Sequence, residues 1–212
     1  MSCLGMPRST HHTPRTHRTH HTHHTHPSLL WRRLDTPGHD VCRLLRVEAG
    51  EGSGWQLEGA AVFRHDSARH AHLTYRVHCD ERWQTQRAFV RGWIGEDLID
   101  HEIIRHSDTT WSLDGAAVLG LSACVDFDLG FSPATNLLSL RRLALGIGMA
   151  ADVSVAWLDD DCAGIAELAQ RYERRSETTY WYSAPRFDYA ALLTVTADGF
   201  VSDYPSLWQA EP

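Results

Sequence analysis

The sequence predicts a mainly β protein of antiparallel hairpins with one packed helix, on three observations. Most segments alternate apolar and polar residues with a period of two, clusters of Gly, Asp and Ser interrupt them at short intervals, and one stretch carries a helical period. The clearest strand is HLTYRVHC, in which Leu73, Tyr75, Val77 and Cys79 share one side and Thr74, Arg76 and His78 the other. Similar strands are expected at 54–65, 83–94, 97–106 and 109–115 before the helix, and at 153–158, 170–175, 178–184, 188–200 and 201–208 after it. Between the two groups, CVDFDLG (124–130) reads as a strand. Gly130 and Pro133 end it, and Thr135 or Asn136 is placed to cap a helix at about 136–147. Segments 73–93 and 191–208 echo one another as strand, acidic turn, strand and tryptophan, a likeness that hairpin geometry produces by itself.

A chain of 212 residues that is 42% hydrophobic suits one core, and a single β-rich domain is expected over 29–210. Residues 9–28 hold eight of the fifteen histidines and no apolar side chain to bury, so 1–28 reads as a disordered His/Thr-rich tail. His20, His21, His23 and His24 could gather a metal only as a loose chelate, and no metal site or cofactor is assigned. Every basic residue is arginine. With Arg8, Arg15 and Arg18 in the tail, the body keeps 17 arginines against all 27 acids, a net charge of −10 that argues against nucleic acid as a partner. No window approaches the roughly twenty apolar residues of a membrane-spanning helix. The N-terminus also lacks a secretory apolar core, so a soluble, cytoplasmic protein is expected. The five cysteines are scattered, without a C-x-x-C pair, and are expected to be reduced and mostly buried.

Chemistry concentrates in VDFDLGFSPATNLLSLRRL (125–143). A strand period puts Asp126 and Asp128 on one face, about 6–7 Å apart. On a helical wheel Ser139, Arg142 and Gly146 fall together on the polar side, whereas Arg141 lies between Leu137 and Leu145 and should seek a carboxylate. Two readings follow: Arg141 clamps the helix to Asp126 or Asp128, or the two acids with Asn136 and Arg141 line the polar end of a pocket.

The sequence resembles the bacterial putative glycolipid-binding proteins. The likeness is carried by WRRLDTPGHDVCRL (31–44), GWQLEGAAVFRH (54–65), LTYRVHCD (73–80), RGWIG (91–95), CVDFDLGFSPATNLLSLRRLAL (124–145), AWLD (156–159), QRYERRSETTYWY (170–182) and ADGFVSDYPSLW (197–208). The resemblance implies an antiparallel β-roll or open-barrel-like sheet with a helix packed against it, and a small amphipathic ligand, in the family's description a glycolipid. After AWLD, where relatives carry a Pro-rich continuation, this chain reads DDCAGIAELAQ, which alters any pocket edge supplied by that connection.

The function expected is therefore that of a non-catalytic carrier or sensor of a lipid-like molecule. Asp126, Asp128, Asn136, Arg141 and Trp93 are the ligand-binding residues, Trp93 as one of eight tryptophans with faces suited to a sugar or an acyl chain. The alternative is a hydrolase or isomerase of a sugar or lipid head group, using Asp126 and Asp128 as acid and base. No nucleophile elbow, Walker loop, zinc-helix motif or dinucleotide glycine motif favours a recognised chemistry.

Overall fold

The computed structural model describes residues 26–49, 52–65 and 68–211; the predicted tail falls almost wholly on residues outside these. The first half contains β1 (Ser28–Arg33), β2 (Gly38–Ala49), β3 (Gly52–Arg64), β4 (His70–Asp80), β5 (Thr85–Ile94), β6 (Asp97–Arg105), β7 (Trp111–Leu113) and β8 (Ala116–Val118). Then come β9 (Asp126–Leu129), helix α1 (Asn136–Leu143), β10 (Ala150–Leu158), β11 (Ile165–Arg174) and β12 (Thr179–Ala184). After a 3-10 turn at Pro185–Phe187 the chain ends in β13 (Tyr189–Val195), β14 (Val201–Tyr204) and β15 (Trp208–Glu211). The predicted strands all appear. Those at 28–33, 38–49, 116–118 and 208–211 and the first half of β11 are additions, and they lack the clean alternation that reveals β4.

These strands form one open sheet in the order β8-β7-β6-β5-β4-β3-β2-β1-β15-β14-β13-β12-β11-β10-β9. Every pairing is antiparallel except β9 with β10, so the expectation of hairpins alone fails at that end. The sheet is a roll with unpaired ends. The segment carrying β9 lies against β5 without joining its ladder: Thr85 N donates to Val125 O at 3.3 Å, and Phe127 N donates to Thr85 Oγ1 at 3.0 Å. Trp111 Nε1 on β7 reaches Cys124 O at 3.2 Å. Both faces of β9 are therefore covered, and Asp126, Phe127 and Leu129 are all buried.

The roll encloses the turn after β9 and the first five residues of α1; residues 131–140 are buried throughout. Leu137, Leu138 and Leu140 pack in one core with Trp31, Leu57, Leu73, Val90 and Tyr172 from the wall. The helix is two turns long, shorter than predicted, because Ala144 takes a left-handed conformation (φ 45°) and its N–H closes on Leu140 O. Thr135 precedes the helix without capping it, since its hydroxyl is committed elsewhere. Cys42, Cys79, Cys124 and Cys162 are free and buried, as expected for a reduced chain.

One close approach fixes the helix entry. Tyr75 stands opposite Gly59, and a Cβ at Gly59 would strike the Tyr75 ring and hydroxyl, so the glycine lets the ring lie across β3 towards Asp40. There Tyr75 Oη and Ser132 Oγ both donate to the Asp40 carboxylate, Tyr75 at 2.9 Å. Because Thr85 of β5 holds the β9 segment through side-chain and backbone bonds, Thr85→Val leaves the buried Phe127 N–H without an acceptor. It is expected to cost about 1–3 kcal/mol in urea unfolding, whereas an unchanged midpoint would show that the contact with β5 is incidental.

Candidate functional site

The face of β9 that carries Asp126 and Asp128 is turned inward onto α1. Asp126 is buried and Asp128 half-buried, and both carboxylates require donors, which the helix side and β11 supply. Arg142 grips Asp126 bidentately, Nε to Oδ1 at 2.8 Å and Nη2 to Oδ2 at 2.8 Å, and Ser139 Oγ adds a bond to Oδ2 at 2.6 Å. Asp128 accepts from Thr135 Oγ1 at 2.6 Å and from Gln170 Nε2 of β11 at 2.8 Å. Asn136 Nδ2 donates to Tyr172 Oη at 2.8 Å, and Tyr172 in turn donates to Gln170 Oε1 at 3.1 Å.

The clamp predicted for Arg141 is therefore made by Arg142. Arg141 is exposed, donates to Asp198 O at 2.6 Å and lies over the Trp83 ring at 5.7 Å. Trp83 stacks on Trp55 at 4.7 Å, and Arg46 covers the other side of Trp55 at 5.0 Å. The helical wheel misled because the helix ends before Leu145, and because its polar side, with Ser139 and Arg142, meets the acids of β9 instead of water.

Asp128 and Asn136 also face a half-enclosed cavity of about 680 Å³. Its walls include Leu129, Leu168, Trp157, Tyr182, Tyr189, Tyr204 and Trp208, from β9 to β12 and β13 to β15. At its rim are Asp35 and Thr36 before β2, Arg64 and His65 at the end of β3, Asp159 to Asp161 after β10, and Phe187. The connection DDCAGIAELAQ contributes Asp160 and Asp161 to the cavity lining. Arg33 forms part of the wall, held between the Phe63 and Trp208 rings at 5.1 and 5.4 Å and paired with Asp35 at 2.8 Å and Asp160 at 2.7 Å. Burial pushes the Asp128 carboxyl up to about 6 against the pull of its bonds from Thr135 and Gln170.

The structure brings together two of the five residues expected at the site. Asp126 and Arg141 do not line this cavity, and Trp93 lies on the outer face of β5, tilted against His72 at 6.1 Å. Arg33, Tyr182, Tyr204 and Trp208 were missed, since strand residues from opposite halves converge only when the sheet rolls. A hollow of about 730 Å³ lies on the outer face of β2 to β5, but it is lined by ion-paired surface groups such as Arg43 with Glu58 and Arg91 with Asp100. The inner cavity is the better candidate because buried polar groups face it.

The family model described as "Putative glycolipid-binding" matches residues 28–210. The chain belongs to that family. A crystal structure of a DUF1089 family protein from Pseudomonas aeruginosa has the same fold, with a TM-score of 0.69 and 22% identity over 98% of this chain and 99% of that one. No curated protein matches the sequence significantly. The family match runs from the first residue of β1 to within one residue of the end of β15, so it takes in both halves of the roll and the clamp between them.

Two measurements check this geometry. Arg142→Met strands the buried Asp126 charge and is expected to cost about 3–5 kcal/mol, whereas Arg141→Met removes an exposed contact and should cost under about 1 kcal/mol; the reverse order in thermal melts would contradict the clamp. Burial also raises Asp40 from 3.8 to about 7, so the fold favours its protonated form. That contribution is complete below the unfolded value and is lost as pH rises through about 7. Between pH 5 and 8 the wild type should therefore lose on the order of 2–3 kcal/mol relative to Asp40→Asn, and parallel stability profiles for the two would rule this out.

Proposed function

We propose that this protein binds a lipid-like ligand, in keeping with the glycolipid description of its family, and acts as a carrier or sensor rather than an enzyme. The observation that carries the reading is the cavity of about 680 Å³, with aromatic and aliphatic walls and the Asp128 and Asn136 groups at its buried end. A largely apolar hollow with a few convergent polar groups is the usual construction of a small-molecule site. The family match supports a lipid-like ligand.

Hydrolysis or isomerisation by the Asp126 and Asp128 pair fits the geometry less well. Asp126 does not line the cavity, and three donors from Ser139 and Arg142 already occupy its carboxylate. Asp126 is assigned to holding the helix, and Asp128 and Asn136 to the ligand.

The delipidated chain is expected to bind the uncharged lipophilic dye N-phenyl-1-naphthylamine saturably, with enhanced fluorescence. Leu207→Trp, which narrows the cavity at a partly exposed wall position, should weaken binding about ten-fold or more while leaving the melting temperature within a few degrees. Absence of saturable uptake by the wild type would defeat the proposal.

A further inference from the structure

The charge and size of the cavity say which lipid-like molecules it can hold, and the inference that follows rests on the binding reading above. Its acids are Asp35, Asp128, Asp159, Asp160 and Asp161, against Arg33, Arg64 and His65. Arg33 pairs with Asp35 and Asp160 while its buried Nη1 has no partner among the described residues, and His65 Nε2 is within 3.0 Å of Asp161 Oδ1. Asp128 and Asp159 have no cation paired with them among the described residues, so with Arg64 counted the acids of the lining still outnumber its cations. An anionic head group would meet uncompensated carboxylates at both the rim and the buried end. Such like-charge contacts commonly exclude a partner.

The buried end is built to accept hydrogen bonds. Asn136 lines the cavity and is only 5% exposed; its Nδ2 donates to Tyr172, while no described residue donates to its Oδ1. Asp128 beside it brings two more acceptor oxygens, each with one donor already in place. Acceptors of this kind call for a ligand rich in hydroxyl donors. One side of the mouth is apolar: Phe187 is 51% exposed and packs edge-on against Trp157, with ring centroids 5.4 Å apart.

Volume sets the third limit. At about 30 Å³ per water-sized group, a hollow of about 680 Å³ has room for roughly twenty such groups. A sugar with one short chain fills it, and a glycolipid with two acyl chains far exceeds it.

We propose that the cavity binds a single-chain amphiphile with an uncharged polyhydroxyl head, which enters first to meet Asn136 and Asp128 while its chain leads out past Trp157 and Phe187. Anionic heads are refused by the surrounding carboxylates, and the hollow has room beside the head for one chain but not for two.

The test uses the full chain and its tryptophan fluorescence, with n-octyl glucoside below its micelle concentration, n-octyl phosphate as the anionic head on the same chain, and a galactosyl diacylglycerol in phosphatidylcholine vesicles scored by co-flotation. Octyl glucoside is expected to bind saturably and about ten-fold or more tightly than octyl phosphate. Asp128→Asn should weaken octyl glucoside several-fold. Asp161→Asn changes an exposed side chain and should fold normally; it is expected to narrow the preference over octyl phosphate. Equal or tighter binding of octyl phosphate, or a preference unmoved by both variants, overturns the inference and leaves the lipid-binding reading standing. Binding of the vesicle-borne glycolipid without octyl glucoside does the same on size. Binding of none of the three overturns the reading itself.

Discussion

Three inward-facing carboxylates, two of them fully buried, govern this structure. Asp40 on β2 and Asp126 and Asp128 on β9 lie inside the roll, and the segment from Ser132 to Arg142 supplies a donor to each: Ser132 to Asp40, Thr135 to Asp128, and Ser139 and Arg142 to Asp126. A buried acid without its donors costs far more than the net gain from a satisfied one. The two halves of the sheet can therefore be folded around this segment only in an arrangement that satisfies all three acids. The ladder joins the halves at β1 and β15, and the enclosed turn and helix join them a second time through side chains.

That second connection explains why an open sheet of fifteen strands keeps a defined cavity without closing into a barrel. Its ends, β8 and β9, do not pair, and the hydrogen bonds between the β9 segment and β5 are made by Thr85. The helix fills one end of the interior with Leu137, Leu138 and Leu140, while the aromatic strands β12 to β15 leave the other end hollow. Packing and site are thus adjacent uses of the same enclosed turn: Asp128 and Asn136 face the cavity with groups whose positions are set by Thr135, Gln170 and Tyr172. Groups held on such a bonded frame are positioned in advance, which limits the ordering cost of any binding at the cavity.

The acids divide into two kinds of work. Asp126 is fully engaged by a guanidinium and a hydroxyl and has an architectural role; Asp128 is engaged only by neutral donors, and burial raises its pKa to about 6. The strand period places them on one face, but the difference between them is made by whichever residues of α1 and β11 stand opposite. Trp93 gives the same lesson in reverse. Its exposed aromatic face suits a sugar or lipid as sequence analysis expects, yet the pleat of β5 puts it outside the roll, paired with His72.

By itself the sequence determined the strand-rich class, the facing sides of strands such as β4, the shared face of Asp126 and Asp128, and the presence of a helix after Pro133, because alternation, turn residues and helical period are local properties. It also carried the family blocks. Only the tertiary structure decided that Arg142 and not Arg141 holds Asp126, that Asp40 accepts from both Tyr75 and Ser132, and that Arg33, Tyr182, Tyr204 and Trp208 meet around one cavity. A helix two turns long ended by Ala144 upsets a wheel drawn for a longer one, and residues more than a hundred positions apart become neighbours only when β1 pairs with β15 and the sheet rolls. Those outcomes depend on which faces become interior, a choice made by the burial of the whole chain and not by any local stretch of it.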